Sequence, residues 1–189
     1  MTKVYLVRHA EIELIPDDYS RPLSQKGKED VKKVTEFFKN KNITRVLSSP
    51  YIRALHTVEG IAKDKGLDIE VVDDFRERKV ANSYIEDFET FSELQWKDFD
   101  YSLEGGESLN QVQKRGIKAL FDVVDKYKNE SIVVGTHGTI LGVILNYFDK
   151  KYDFNFWKTI KMPDIFLLEF EDRRLKYIKN IAVENEKSH

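Results

Sequence analysis

Apolar residues come in two rhythms along this chain. Four short runs, Val4-Tyr5-Leu6-Val7, Val46-Leu47, Ile69-Glu70-Val71-Val72 and Ile132-Val133-Val134, are rich in β-branched side chains, the pattern of strands that are largely buried. Between them the apolar positions open out to helical spacing: Val31, Val34, Phe37 and Phe38 in a segment full of Lys and Glu, then Ala54, Leu55, Val58, Ile61 and Ala62, then Val112, Ala119, Leu120, Val123 and Val124. Each set lays one apolar stripe against a sheet. Ser49-Pro50 predicts an N-cap and a first-turn proline for the second of these helices, and Ser108 with Gln111 predicts a capping box for the third. Near the end, Ile165 to Phe170 and Leu175 to Ile181 flank the polar Glu171-Asp172-Arg173-Arg174 and predict a hairpin at the sheet edge. The alternation of strand and helix predicts an α/β fold: a single-domain three-layer sandwich, its sheet mainly parallel with an antiparallel edge strand and helices on both faces.

Composition narrows the chemistry. A chain of 189 residues suits one domain, and without repeats or Pro-rich linkers we expect it to occupy residues 1–183, leaving 184–189 as a polar tail. The 31 basic and 33 acidic residues nearly balance, so nucleic acid is not an expected partner. Cysteine is absent, which removes thiolate metal sites and any cysteine nucleophile. The run Val4 to Val7, broken by Arg8 and His9, is too short for a membrane span or a secretory leader. A cytoplasmic protein with no membrane partner is the expectation.

In open α/β sheets ligands bind beyond the carboxyl ends of the strands. The first strand ends in Arg8-His9, the second leads through Ser48-Ser49-Pro50 to Arg53, the run at 69–72 is followed by Asp73-Asp74-Phe75-Arg76-Glu77, and the run at 132–134 leads to Thr136-His137-Gly138. Two arginines, two histidines and a carboxylate are thereby predicted to meet at one end of the sheet. Forked guanidinium groups such as Arg8 and Arg53 complement a phosphate. Helix-start amides after Pro50 and Gly138 offer further donors, and glycine at 138 permits close approach. A neutral His9 can attack phosphorus, His137 can donate to a phosphoryl oxygen, and Glu77 can protonate a leaving oxygen and later deprotonate water.

The same residues resemble the histidine phosphatase, or phosphoglycerate mutase-like, superfamily. The resemblance runs through Leu6-Val7-Arg8-His9-Ala10-Glu11, Arg21-Pro22-Leu23-Ser24-Gln25-Lys26-Gly27, Ser48-Ser49-Pro50-Tyr51-Ile52-Arg53-Ala54, Phe75-Arg76-Glu77, Gly105-Gly106-Glu107-Ser108-Leu109 and Val134-Gly135-Thr136-His137-Gly138. It implies that His9 accepts the phosphoryl group, that Arg8, Arg53 and His137 form the phosphate pocket, and that Glu77 is the acid/base. Two departures stand out: Ala10 replaces the usual glycine, and Ile15 stands where many mutases place a pocket asparagine. The expectation is a phosphomonoesterase working without metal or cofactor on a phosphorylated small molecule, with a mutase or a non-enzymatic phospho-ligand module as alternatives.

Other features have plainer readings. His56 and His189 receive no role, and Gly-Gly-Glu-Ser at 105–108 ends a loop and caps a helix. The segment 84–101, with Phe88, Phe91, Leu94, Trp96 and Phe99 among acids, is either an amphipathic cover for the sheet or a lid that selects the leaving group.

Overall fold

The computed structural model describes residues 1–182; the expected tail at 184–189 lies outside them. Six strands, β1 (Thr2–Arg8), β2 (Arg45–Ser48), β3 (Ile69–Val71), β4 (Ser131–Thr136), β5 (Asp164–Glu171) and β6 (Arg174–Ile181), form one sheet in the order β3-β2-β4-β1-β5-β6. β3, β2, β4 and β1 pair in parallel, whereas β5 runs antiparallel to β1 and β6 antiparallel to β5. This is the α/β arrangement with an antiparallel edge that the alternation implied. The predicted hairpin is β5–β6, turning at Asp172 with φ 52°.

The period of two along the central strands divides the core. Val4 and Leu6, Ile132 and Val134, Phe166 and Leu168 face one side, while Tyr5 and Val7, Val133, Ile165 and Leu167 face the other. The second side is covered by α1 (Gln25–Phe38) and α2 (Ile52–Lys65) through Val34, Phe38, Val58 and Ile61. The first is covered by α4 (Leu109–Lys126) and α5 (Gly138–Phe148). α5 is buried from Gly138 to Asn146. Beyond it lie two short helices, α3 (Phe88–Lys97) and α6 (Phe154–Thr159), whose Trp96 and Trp157 pack together over Gly142. The segment 84–101 therefore covers α5 rather than the sheet itself.

Two local expectations change. The run at 69–72, expected to be largely buried, supplies the edge strand β3, with Val71 52% exposed, because its only sheet neighbour is β2. An edge strand covered on one side needs few apolar side chains. Ser49 is not the N-cap of α2, and Pro50 precedes its first turn: the cap position is Tyr51, and the Ser49 hydroxyl accepts the Tyr51 N–H instead. Ser108 and Gln111 form the expected reciprocal capping box.

Candidate active site

Backbone bonds beyond the strand ends draw the predicted residues together. The His9 N–H donates to Thr136 O at 3.1 Å, Ser49 N–H to Gly135 O at 2.8 Å, and Val72 N–H to Ser48 O at 2.9 Å. The Thr136 hydroxyl then donates to Phe75 O at 2.9 Å, tying the end of β4 to the turn that carries Glu77. The 9–11 segment is steadied by the start of α1, where Ser24 caps the helix and its N–H donates to Glu11 O. Gly27 is required there, because a Cβ would come 2.2 Å from Glu11 O.

His9 is 5% exposed and His137 fully buried, with ring centroids 5.2 Å apart. His9 Nδ1 lies 2.7 Å from the Ala10 carbonyl oxygen. A carbonyl only accepts, so Nδ1 carries the proton and Nε2 keeps its lone pair. Burial pushes the His9 pKa from 6.5 down to about 3, with the Arg53 and Arg8 charges acting in the same direction against the Ala10 bond. The imidazole is therefore neutral at pH 7. His137 is likewise held well below 6.5 by burial first, then by His9, Arg53 and Arg8.

Around these rings lie donors without acceptors. Arg8 donates through Nη1 to Ile160 O at 2.7 Å, and Arg53 through Nη1 to Asp18 O at 2.6 Å, with Asp18 Oδ1 3.2 Å from Nη2. Arg53 also stacks on Tyr51, 4.8 Å from its ring centre. Yet Arg8 Nε, Arg53 Nε and His137 Nδ1 are buried with no hydrogen-bond partner among the described residues. Buried donors are ordinarily satisfied, so these three stand out beside the two rings. His137 Nε2 sits 2.7 Å from Ser49 Oγ; a hydroxyl proton donated there leaves Nδ1 as an N–H.

The remaining residues differ from expectation. Glu77 accepts N–H bonds from Thr139 (2.9 Å) and Ile140 (3.1 Å) in the first turn of α5, and from Arg78 (2.8 Å). The α5 amides expected to face phosphate at Thr139 and Ile140 are thus taken by Glu77, and at the start of α2 the Ile52 N–H goes to Tyr19 O. Gly138 does allow close approach, but by Arg8, whose Cζ would lie 2.7 Å from a Cβ at 138. Ala10 is fully buried and is not among the residues with positive φ, so the backbone there accepts an L side chain without strain. Its N–H donates to Thr57 Oγ1. Among the described residues, no group of three or more His, Cys, Asp or Glu side chains is placed to hold a metal ion, and no helix is long and apolar enough to cross a membrane.

Sequence reasoning missed Asp18, Ser49 and Thr57 as partners of the core residues. Ser49 and Thr57 lie four residues on either side of Arg53, which was a usable signal; Asp18 sits in a loop with none. It also missed Arg115. This side chain forks onto Glu107 (2.9 and 3.0 Å) and donates to the carbonyls of Asp74 and Arg76 at 2.8 Å and of Glu77 at 3.2 Å.

Beyond the ends of the parallel strands of this mixed sheet, two histidines and two arginines thus come together. The sequence pattern of the histidine phosphatase superfamily (branch 1) matches residues 4–179, and the chain belongs to that family. A curated relative, "Probable phosphoglycerate mutase GpmB" of Salmonella typhi, is 30% identical over 161 residues, 77% of this chain and 74% of the relative. Solved structures share the fold. Phosphoserine phosphatase of Entamoeba histolytica in complex with 3-phosphoglyceric acid has a TM-score of 0.78 at 20% identity, covering 97% of this chain and 99% of that one. YhfR of Bacillus stearothermophilus has a TM-score of 0.76 at 20% identity, covering 93% and 94%.

Proposed function

We propose that the chain is a phosphomonoesterase that works through a phosphohistidine on His9, without a metal. The observation that carries this reading is the bare Nε2 of a neutral, buried His9 beside the three unpartnered donors Arg8 Nε, Arg53 Nε and His137 Nδ1. Nε2 attacks phosphorus while the ester P–O bond breaks, and the donors take up the charge on the phosphoryl oxygens. Glu77 passes a proton to the leaving oxygen, turning off the α5 terminus to do so. It then takes a proton from the water that cleaves the P–N bond. The solved phosphoserine phosphatase complexes support a small phosphorylated metabolite as substrate.

A mutase reading has one specific support, the GpmB relative. Against it stands Ile15, whose side chain offers no hydrogen-bond donor where the resemblance places a mutase asparagine. The test is phosphate release from p-nitrophenyl phosphate under chelation, wild type against His9→Ala. The expected loss is at least about 100-fold, and equal turnover by both overturns the nucleophile. With 3-phosphoglycerate, released phosphate supports hydrolysis and accumulation of the 2-isomer supports the mutase. We place the protein in the cytoplasm on the sequence reading alone.

A further inference from the structure

Strand β5 opens on Asp164, which lies across from Arg8 in the antiparallel register with β1. Its side chain is buried, and a carboxylate is rarely buried unless it is paired or hydrogen-bonded. Asp164 makes no direct ion pair with Arg8. Instead it accepts from two directions: Oδ2 from the Lys161 N–H at 2.9 Å, and Oδ1 from the Ile165 N–H at 3.0 Å and Asn180 Nδ2 at 2.8 Å. Asn180, on β6, also donates to Ile165 O at 3.0 Å, which keeps its amide in place.

The Lys161 N–H belongs to the same planar peptide as the Ile160 carbonyl, so holding one end of that peptide aims the other. Ile160 O accepts Arg8 Nη1 at 2.7 Å and is the one acceptor that the Arg8 side chain has among the described residues. The guanidinium is also packed against Gly138, where a Cβ would lie 2.7 Å from Cζ. Nη1 is thus anchored while Nε stays without a partner. A carboxylate on the N–H polarises the peptide and strengthens its carbonyl as an acceptor. The field of Asp164 also reaches the arginine: burial lowers the Arg8 pKa, and the charges of Glu77 and then Asp164 oppose that shift.

We propose that Asp164 is a positioning residue for phosphoryl transfer, holding the Ile160–Lys161 peptide so that Arg8 is gripped at Nη1 and its Nε is left for a phosphoryl oxygen. The proposal rests on the phosphomonoesterase reading above. Asn180 belongs to the same unit, so the antiparallel hairpin takes part in aiming a group at the end of β1. Two accepting oxygens are needed because the donors approach from two sides. An asparagine at 164 has one, which the Ile165 and Asn180 donors together claim, and its NH2 would then confront the Lys161 N–H.

Asp164→Asn therefore releases the peptide that holds Arg8 while changing few atoms. The test is a double-mutant cycle with Arg8→Met, read as kcat/KM for p-nitrophenyl phosphate under chelation. We expect Asp164→Asn to cost at least about tenfold when Arg8 is present and less than about twofold when it is methionine. General damage to the fold would act equally in both backgrounds. A loss that persists in full without Arg8, or no loss in its presence, overturns the proposal. Should Asp164→Asn fail to fold, Asn180→Ala strips one donor from Oδ1: a loss of about threefold that disappears with Arg8→Met is expected, and an unchanged kcat/KM counts against the proposal. If wild type releases no phosphate from the aryl ester, the phosphomonoesterase reading fails. The Arg8 Nε–H signal in proton–nitrogen NMR, identified by its absence in Arg8→Met and titrated with inorganic phosphate, then decides separately, as it does if turnover without Arg8 is too slow to compare. A half-saturating concentration raised about tenfold or more in Asp164→Asn supports the positioning role. An unchanged one, or a wild-type signal that phosphate does not move, overturns it.

Discussion

A histidine that attacks phosphorus must keep one ring nitrogen bare, and a histidine that steadies the transferred group must present an N–H. The two side chains face each other here, and what separates their roles is the partner of the other ring nitrogen: the Ala10 carbonyl for His9 and the Ser49 hydroxyl for His137. Both are expected to be Nδ1-protonated neutral tautomers at pH 7, which long-range proton–nitrogen NMR of the imidazoles reads directly. An Nε2-protonated His137 would mean that it has no N–H at Nδ1 for the phosphoryl group. Ser49→Ala removes the tautomer's anchor, so we expect kcat/KM to fall by about tenfold, with Ser49→Thr restoring it. Arg8, His9 and His137 were legible in the sequence because they sit just beyond runs of buried β-branched residues, and Arg53 because it opens the helix that follows such a run. Ser49 was noticed for the wrong task. Its hydroxyl suits helix capping in any sequence, and only the contact with β4 turns it toward His137.

At the scale of elements, Glu77 depends on a turn rather than on a strand. Residues 73–77 follow the short edge strand β3, and an edge strand is a poor anchor. What fixes the turn is α4, through Arg115, whose guanidinium is clamped by Glu107 and grips the carbonyl groups of Asp74, Arg76 and Glu77. Glu107 in turn exchanges backbone and side-chain bonds with Lys79. Arg115→Lys supplies charge without the fork, so the turn loosens and proton delivery suffers. An alkyl leaving group needs that proton, whereas an aryl oxide leaves without it. Turnover of alkyl phosphates is therefore expected to fall about tenfold or more, with p-nitrophenyl phosphate changing much less. Equal losses on both would reduce Arg115 to a merely structural residue. The Gly-Gly-Glu-Ser run looked like a loop end and a cap, which Ser108 is; the part played by Glu107 depends on a partner eight residues away, on the far side of the capping turn. Helix α6 also escaped the sequence, since six residues carry too little periodicity to register.

Over the whole molecule, the sheet pays for its pocket in acid stability. The unfolded chain protonates its histidines near pH 6.5, whereas folded His9 resists protonation until about pH 3, and His137 is shifted in the same direction. As pH falls below 6.5 the unfolded state takes up protons that the native state refuses, so stability present above pH 6.5 declines toward pH 3. For His9 alone the loss at pH 5 is about 2 kcal/mol, and His137 adds to it. The carboxylates held below their usual range, Glu70, Asp87, Glu107 and Asp125, start from 4.5, 3.8, 4.5 and 3.8, so their losses come at lower pH. The window from pH 6.5 to 5 is therefore governed by the two buried histidines. In a domain of this size, about 2 kcal/mol lowers Tm by roughly 4–8 °C. Melting curves at pH 7.5 and pH 5 are expected to differ by at least that amount in wild type and by several degrees less in His9→Ala. An identical pH dependence in the two proteins would show that His9 is not buried as a neutral ring, and with that the case for its bare Nε2 would fall.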